Sequence, residues 1–361
     1  MKNNSTNVFK NPRSEFFDVT LIYFILMVAF VFIRILSRLG AFDFLGDYAS
    51  SIISIIIQIF IMFLLPVFLF KIFRNKTIKQ VFKDFSFKKL NFKSVIICIA
   101  IGVLVFVLNI AVSSFFSVIL SLFGYENLGS SAEADYSIIA FIIAIVTTAI
   151  LPGFCEEIAS RGMLLKGFNK LGWKKMILIS GLLFGLMHLN IEQFFYATII
   201  GWFLAFICIS SGNIIPGMII HFMNNALGTY MAYGSHNGWP LSDFLTTMSN
   251  SIASSSYIST ILIIFIVLLI ASFSLMWLVY LLIKETTGVR MYELGQELKQ
   301  SIKTEAEEAG IGKLNIDIPF QALGFTAKQT YFPALKSKMF LYSSIFLGVI
   351  ITASTFVWGV I

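Results

Sequence analysis

Long apolar segments recur along this chain and constrain its fold more than any other feature. A helix needs about 20 apolar residues to cross the hydrocarbon core of a bilayer, and most of these segments approach or exceed that length. They cover residues 16–36, 49–73, 94–123, 136–165, 175–189, 194–209, 214–233, 257–283 and 339–361. The pattern predicts an all-α, polytopic transmembrane helical bundle with eight core spans and a C-terminal ninth.

Composition supports a membrane protein and excludes several soluble classes. Apolar residues make up 58% of the chain and charged residues 12%, whereas a soluble domain has about 45–50% and about 25%. The segments leave no room for a water-soluble dehydrogenase, kinase or nucleic-acid-binding domain. Cys98, Cys155 and Cys208 all lie in apolar segments, so they do not indicate a disulfide framework.

The basic residues are distributed unevenly between the two ends of the predicted spans. If the N-terminus is cytoplasmic, all of the 26 Lys and Arg lie on or near the cytoplasmic side except Arg34 and Arg38. Cytoplasmic loops carry an excess of Lys and Arg, so the sequence predicts a cytoplasmic N-terminus and a multi-pass protein of the cell membrane. The bias toward Ile, Lys, Asn and Phe indicates a low-GC bacterium and therefore a bacterial plasma membrane.

The order of apolar and polar stretches predicts five regions. They are three N-terminal transmembrane helices in 1–135, a catalytic core of four spans in 136–233, an outer loop and eighth span in 234–283, a cytoplasmic polar region in 284–338 and a C-terminal transmembrane segment in 339–361. The polar region 284–338 is predicted to be a solvated tail rather than a catalytic domain.

Ionisable residues inside the predicted spans indicate a candidate site. Each costs at least about 2.5–3.5 kcal/mol at the centre of a bilayer, and such residues usually mark function. The fourth segment contains Glu156, Glu157 and Arg161, and two later segments contain His188 and His221. These residues therefore need an explanation beyond helix packing.

Four polar side chains share one depth in the predicted spans. At the rise of an α-helix, Glu156 lies about 15 Å and His188 about 20 Å from the basic residues at the cytoplasmic boundary. His221 and Asn225 lie about 12 and 18 Å from the inner turn at Asn213 on the same measure. Parts of one site must share a level, so the agreement favours a single site.

Helical spacing suggests different roles for the two adjacent glutamates. Glu157 and Arg161 are four residues apart and therefore neighbours on one helix face, so an ion pair neutralises Glu157. Glu156 points about 100° away and has no basic partner at this spacing. Low dielectric disfavours its charged form, which suits it to act as a general base. His188 could activate a water together with Glu156.

Two chemistries remain open for the other residues. His221 and Asn225, also four residues apart, could polarise a carbonyl and hold the developing oxyanion. Alternatively, Glu156, His188 and His221 could ligate a divalent metal such as zinc, whose bound water is acidified toward pH 7. Either assembly hydrolyses a peptide bond. Asn is a better oxyanion donor than zinc ligand, which leans slightly toward metal-free chemistry, but a divalent metal such as zinc stays open as a cofactor.

Three short motifs follow one another in this part of the chain. They read Glu156-Glu157-x-x-x-Arg161, Phe184-x-x-x-His188 and His221-x-x-x-Asn225. Over residues 136–233 they resemble the signature of the CAAX protease and bacteriocin-processing family, the Abi group of intramembrane proteases. The resemblance implies an endopeptidase in which Glu156 activates water with His188, while His221 and Asn225 complete the site. The family is often described as metalloproteases, and a metal-free, glutamate-based mechanism is also proposed for it.

The resemblance implies a substrate class. Two other functions, a scaffold and a transporter, are the alternatives. The substrate would be a membrane-bound or lipidated peptide, cleaved near the cytoplasmic side during peptide maturation, bacteriocin processing or immunity. The alternative is a non-proteolytic membrane scaffold that positions a partner such as a cell-wall enzyme. A transporter is disfavoured because the sequence lacks evident repeats and paired broken helices. Lipid is the surrounding partner, and no nucleic acid is expected.

Several other polar or small residues have simpler explanations. His236 lies in a predicted outer loop and is expected to be a surface residue. Gln58 and Asn109 are single polar groups in spans and are expected to make interhelical hydrogen bonds. Gly181 and Gly185 form a small-x-x-x-small pair, which we expect to bring the fifth span close to the fourth.

Overall fold

The computed structural model describes residues 15–126, 135–244, 247, 250, 251, 256–287 and 335–360, and these are α-helical without β-strands. The described residues include ten helices, which are numbered here in chain order. They are α1 (Glu15–Arg38), α2 (Ala49–Arg74), α3 (Ile78–Asp84), α4 (Phe92–Leu122), α5 (Ile138–Phe168), α6 (Trp173–Met187), α7 (Ile191–Ser211), α8 (Ile215–Asn237), α9 (Tyr257–Thr287) and α10 (Leu335–Val360). The predicted all-α polytopic bundle is therefore confirmed.

Each of the nine predicted spans corresponds to a helix, but the described helices are not equally suited to crossing a membrane. Seven are long and apolar enough to do so, namely α1, α2, α4, α5, α7, α9 and α10. Helix α6 has only 15 residues. Helix α8 has 23 residues, but its His and Asn side chains make it less apolar than the others. Most of the predicted polar region 284–338 lies outside the described residues.

The buried core lies where α1, α2, α5 and α6 pack together. Its largest fully buried side chains include Phe70, Phe85 and Phe168. In contrast, Phe32 and Phe265 are more than half exposed, as expected for side chains that face lipid tails. Aromatic bulk therefore serves both the core and the outer surface of the bundle.

Glycines allow α6 and α7 to pack closely. A methyl group on Gly181 would lie 2.0 Å from Trp202 Cδ1, and one on Gly185 would lie 1.9 Å from Thr198 Oγ1. Both neighbours belong to α7. The expectation that this glycine pair faces the fourth span is therefore wrong, because helix rotation turns it toward the next helix in the chain. The contact still fixes the end of α6, where His188 follows.

Candidate active site

The two adjacent glutamates occupy a short α-helical stretch between two wider turns of α5. The stretch Leu151–Glu157 is preceded by a π-helical segment, Ile145–Ile150, and followed by another, Ile158–Leu164. Such π-helical turns occur frequently at functional sites. Glu157 is fully buried and Glu156 is nearly so, so both carboxyl groups lie inside the bundle.

A chain of buried polar contacts runs from Arg161 through Glu157 to His221. Arg161 Nη1 donates to Glu157 Oε1 over 2.8 Å, and both side chains are fully buried. His221 Nδ1 lies 3.0 Å from the same carboxylate oxygen. Because an ionised carboxylate only accepts hydrogen bonds, Nδ1 of His221 carries a proton. Glu157 therefore fixes the orientation of the histidine ring.

Close approach of α5 and α8 makes this contact feasible. A methyl group on Gly153 would lie 3.1 Å from the backbone nitrogen of Phe222, and one on Gly217 would lie 3.0 Å from Glu157 Oε2. Side chains at these two positions would separate the helices. The small residues thus bring His221 within hydrogen-bonding distance of α5.

Glu156 makes a different set of contacts, as its helical position predicts. Its Oε1 accepts a hydrogen bond from Gln58 Nε2 on α2 over 2.7 Å, with both side chains buried. Its buried Oε2 makes no hydrogen bond within the described residues. His221 Nε2 lies 4.0 Å from that oxygen, too far for a direct hydrogen bond. One oxygen of Glu156 is therefore anchored, and the other faces the histidine without bonding to it.

His188 ends helix α6 and lies on the wall of the same cavity as Glu156. Its Nδ1 is 2.8 Å from the Phe184 carbonyl oxygen, which can only accept. The ring therefore carries its proton on Nδ1 and leaves Nε2 for a ligand. The Phe184 ring contacts the edges of His188 and His221, with centroid distances of 5.1 and 5.7 Å.

Phe184 also packs against Arg161, whose guanidinium carbon lies 4.3 Å from the ring centroid. A cation over an aromatic face is favourable, and Arg161 Nη2 donates a further hydrogen bond to the Gly201 carbonyl. One aromatic side chain thus holds both histidines and the arginine of the three sequence motifs.

Asn225 lies one helical turn from His221, but its side chain forms hydrogen bonds with residues other than the two glutamates. Its Nδ2 donates to the Thr148 carbonyl on α5 over 2.9 Å, and its Oδ1 accepts from Asn224. Asn224 in turn accepts from Asn109 on α4, which confirms the interhelical role predicted for Asn109. The structure therefore places Asn225 in a hydrogen-bonded row of amides that joins α4, α5 and α8.

The three alternative metal ligands, Glu156, His188 and His221, do not form a ligand set. Within the part of the chain that the structure describes, no three His, Cys, Asp or Glu side chains are grouped so that they could hold a metal ion. Glu156 Oε1 is already bonded to Gln58. The donors present in this arrangement therefore do not fit a metal.

A cavity of about 470 Å³ reaches the site. Glu156 and His188 lie in its wall, together with residues of α1, α2 and the α6–α7 turn. Its volume falls within the range of about 300–1,000 Å³ that is usual for ligand pockets. A segment of a substrate can therefore approach the side chain of Glu156.

Sequence reasoning missed two members of this site. Gln58 was expected only to join helices, yet its partner is the Glu156 carboxylate. Phe184 was part of a motif without an assigned role. The signal for Gln58 was present, because an amide in an apolar segment needs a buried partner, but the sequence does not say which one.

His236 has an exposed side chain, and its ring stacks on Tyr136 at the far end of α8.

Comparison with known proteins agrees with the position of this site. Residues 138–227 match the family model for type II CAAX prenyl endopeptidase Rce1-like proteins, and this segment contains all three motifs. No curated protein and no solved structure matches the chain significantly. The match confirms the resemblance predicted from the motifs, and over residues 138–227 the chain is similar to the CAAX protease family.

Proposed function

We propose that this protein is an intramembrane endopeptidase that hydrolyses a peptide bond in a membrane-bound or lipidated peptide. The observation that carries the proposal is the 4.0 Å separation of Glu156 Oε2 and His221 Nε2. In the neutral ring, Nε2 is an acceptor, because Nδ1 holds the proton toward Glu157. Two buried acceptors at this distance suit one water molecule that donates a proton to each.

The proposed reaction uses that water as the nucleophile. Its oxygen attacks the scissile carbonyl carbon while Glu156 Oε2 takes one of its protons as general base. The tetrahedral intermediate then collapses, the C–N bond breaks, and the proton on Glu156 passes to the leaving amine. The products are a carboxylic acid, which retains the second water proton, and an amine, so one water is consumed and no other reactant is needed.

Asn225 is assigned to the carbonyl oxygen in this proposal. Asn225 has a second amide N–H besides the one bonded to Thr148. His188 lines the cavity beside Glu156, and its Nε2 can accept a hydrogen bond from the substrate, because Phe184 holds the ring proton on Nδ1. Donors directed at the developing oxyanion stabilise the transition state more than the bound substrate.

Cleavage of membrane peptides by the purified protein tests the proposal. Wild type in detergent or nanodiscs is incubated with a quenched library of membrane peptides, beside His188→Gln and the matched control His236→Gln. We expect His236→Gln to retain activity and His188→Gln to lose about 10²- to 10⁴-fold in kcat. Treatment with a chelator is expected to leave activity unchanged.

Two outcomes would contradict parts of this proposal. Loss of activity with a chelator, restored by added zinc, would overturn the metal-free chemistry but not the protease. A folded wild type that cleaves no peptide, while a partner protein co-purifies stoichiometrically, would favour the scaffold function instead. Retention of the partner by His188→Gln would then show that partner binding does not depend on this histidine.

Replacing Gln58 tests whether its amide positions Glu156. We expect Gln58→Leu to lower kcat by about 10- to 100-fold, because a hydrogen bond to a charged group contributes about 1.5–3 kcal/mol. KM should stay within about twofold, since Gln58 acts through Glu156 rather than on the substrate. Steady-state kinetics on one peptide measures both constants.

Ser54→Ala is the matched control for Gln58→Leu. Ser54 lies one turn earlier on α2 and bonds the Thr147 carbonyl of α5 over 3.3 Å, so it joins the same two helices without touching Glu156. Its loss should leave kcat nearly unchanged. An equal fall in kcat for both variants would show that helix packing, rather than the carboxylate contact, is responsible.

A further inference from the structure

The cavity that reaches Glu156 opens at one identifiable end of the bundle. Its wall is formed by the last turns of α1, the first part of α2, and the turn that joins the end of α6 to the start of α7. These parts lie together because consecutive helices run in opposite directions. The basic loops at 71–93 and 166–175 join the other ends of the same helices. The cavity therefore opens away from the Lys-rich end.

Two arginines lie in the cavity wall near this opening. Arg34 and Arg38 are four residues apart on α1, so their side chains are neighbours on one helix face. Arg34 is partly buried and Arg38 is exposed. Like charges at this spacing repel each other.

Arg34 places its positive charge beside the reacting groups. Its Nη1 donates to the Leu189 carbonyl over 2.6 Å, and Leu189 directly follows His188 in the chain. Leu189 has a φ of 52°, an uncommon conformation for a residue with a side chain. The arginine thus holds the turn that ends α6, next to the catalytic histidine.

Among the described residues that line the cavity, Glu156 is the only acid. Its carboxylate lies in the inner part, bonded to Gln58, whereas both arginines belong to the end of α1. The cavity therefore has a reacting carboxylate at one position and a pair of guanidinium groups at another. A peptide lying along it meets both.

We propose that Arg34 and Arg38 bind a carboxylate group of the substrate and thereby select acidic peptides that enter from the end opposite the Lys-rich loops. This inference rests on the proposed endopeptidase function. Guanidinium groups match the geometry of carboxylates and bind them with charge-assisted hydrogen bonds. The carboxylate belongs either to the C-terminus of the peptide or to an Asp or Glu side chain near the scissile bond.

Access from this end changes the expected side of cleavage. The sequence pattern predicts the cytoplasm at the Lys-rich end, so the cavity opening faces the outer side. The depth of Glu156 favoured cleavage near the cytoplasmic side, but depth alone does not specify the route of entry. The lining residues favour the outer side, because all of them except Glu156 belong to the halves of α1, α2, α6 and α7 that lie nearest Arg34 and Arg38.

Matched peptides distinguish the two sources of the carboxylate. One membrane peptide is prepared with a free C-terminus, with an amidated C-terminus, and with its acidic side chains replaced by Gln. Wild type is expected to show a KM about tenfold lower for the peptide that carries the recognised carboxylate. A loss of preference on amidation identifies the C-terminus, and a loss on Glu→Gln replacement identifies a side chain.

Arg38→Gln tests the arginine pair without removing the Arg34 bond to Leu189. This variant should lower the ratio of kcat/KM for the acidic peptide to kcat/KM for the neutral peptide about tenfold. Arg38→Lys should restore part of the preference. Lys89→Gln is the matched control, because it removes an exposed positive charge at the opposite end. Equal KM values for acidic and neutral peptides with wild type would overturn the inference.

Binding measurements separate failure of this inference from failure of the protease. Fluorescence anisotropy with the inactive Glu156→Gln variant reports peptide affinity without cleavage. Tighter binding of the acidic peptide, lost in the double variant with Arg38→Gln, supports the site even if no peptide is cleaved. Equal binding of both peptides by an active enzyme overturns the site while the protease stands.

Sided vesicles test the route of entry. Protein reconstituted in one orientation, established by accessibility of its Lys-rich loops to an added protease, receives the peptide on one side only. Cleavage is expected when the peptide is added opposite the Lys-rich loops. Cleavage only from the Lys-rich side would overturn the proposed route.

Discussion

Glu156→Gln should lower kcat by at least about 10³-fold while the protein remains folded. The variant keeps the size and polarity of the side chain but removes the base that takes a proton from water, a role that contributes about 10²- to 10⁴-fold. The amide also reverses the hydrogen-bonding character of the group that faces His221. Single-turnover cleavage of a membrane peptide measures the change.

A control replacement separates this effect from a general loss of charge. Glu126 is exposed beyond the end of α4, so Glu126→Gln makes the same chemical change far from the site. It should retain wild-type kcat and the same unfolding midpoint. A Glu156→Gln variant with full activity would refute the proposed general base, whatever the activity of the control.

Arg161→Leu should destabilise the protein by about 3–5 kcal/mol, because it leaves the Glu157 carboxylate buried without its cation. The loss also removes the hydrogen bond to Gly201 and the contact with the Phe184 ring. His221 would lose its fixed acceptor geometry, so activity should fall together with stability. Reversible unfolding in mixed micelles gives the free energy of unfolding.

Two further variants make this prediction specific. Replacing Glu157 by Gln together with Arg161→Leu should recover part of the lost stability, since the unpaired charge is then absent. Lys93→Leu removes one partner of the exposed Lys93–Glu285 pair and should change the free energy of unfolding by less than about 1 kcal/mol. Equal losses for Arg161→Leu and Lys93→Leu would show that burial of the Arg161 pair does not matter.

The helices themselves were predictable because their signal is local. Apolar length is a property of consecutive residues, and the nine predicted segments correspond to helices at closely similar positions. The pairing of Glu157 with Arg161 was predictable for the same reason, since four residues make one helical turn. The structure shows that pair at 2.8 Å.

Contacts between distant segments were not predictable in the same way. Gln58 and Glu156 are separated by 98 positions, and their meeting depends on the rotation of two helices about their axes. The glycine pair of α6 shows the same limit, because its sequence spacing predicts close packing but not the partner. From the sequence, Arg34 differed from most other basic residues only in lying away from the predicted cytoplasmic side.

The sequence by itself determined the all-α membrane fold, the motif residues and the placement of Glu157 and Arg161 on one helix face. Each of these follows from composition or from spacing within one helix. Only the tertiary structure decided that Gln58 anchors one oxygen of Glu156, that Phe184 packs against both histidines, and that the cavity opens beside Arg34. Those relations follow from how separate helices rotate and pack, which no single segment encodes.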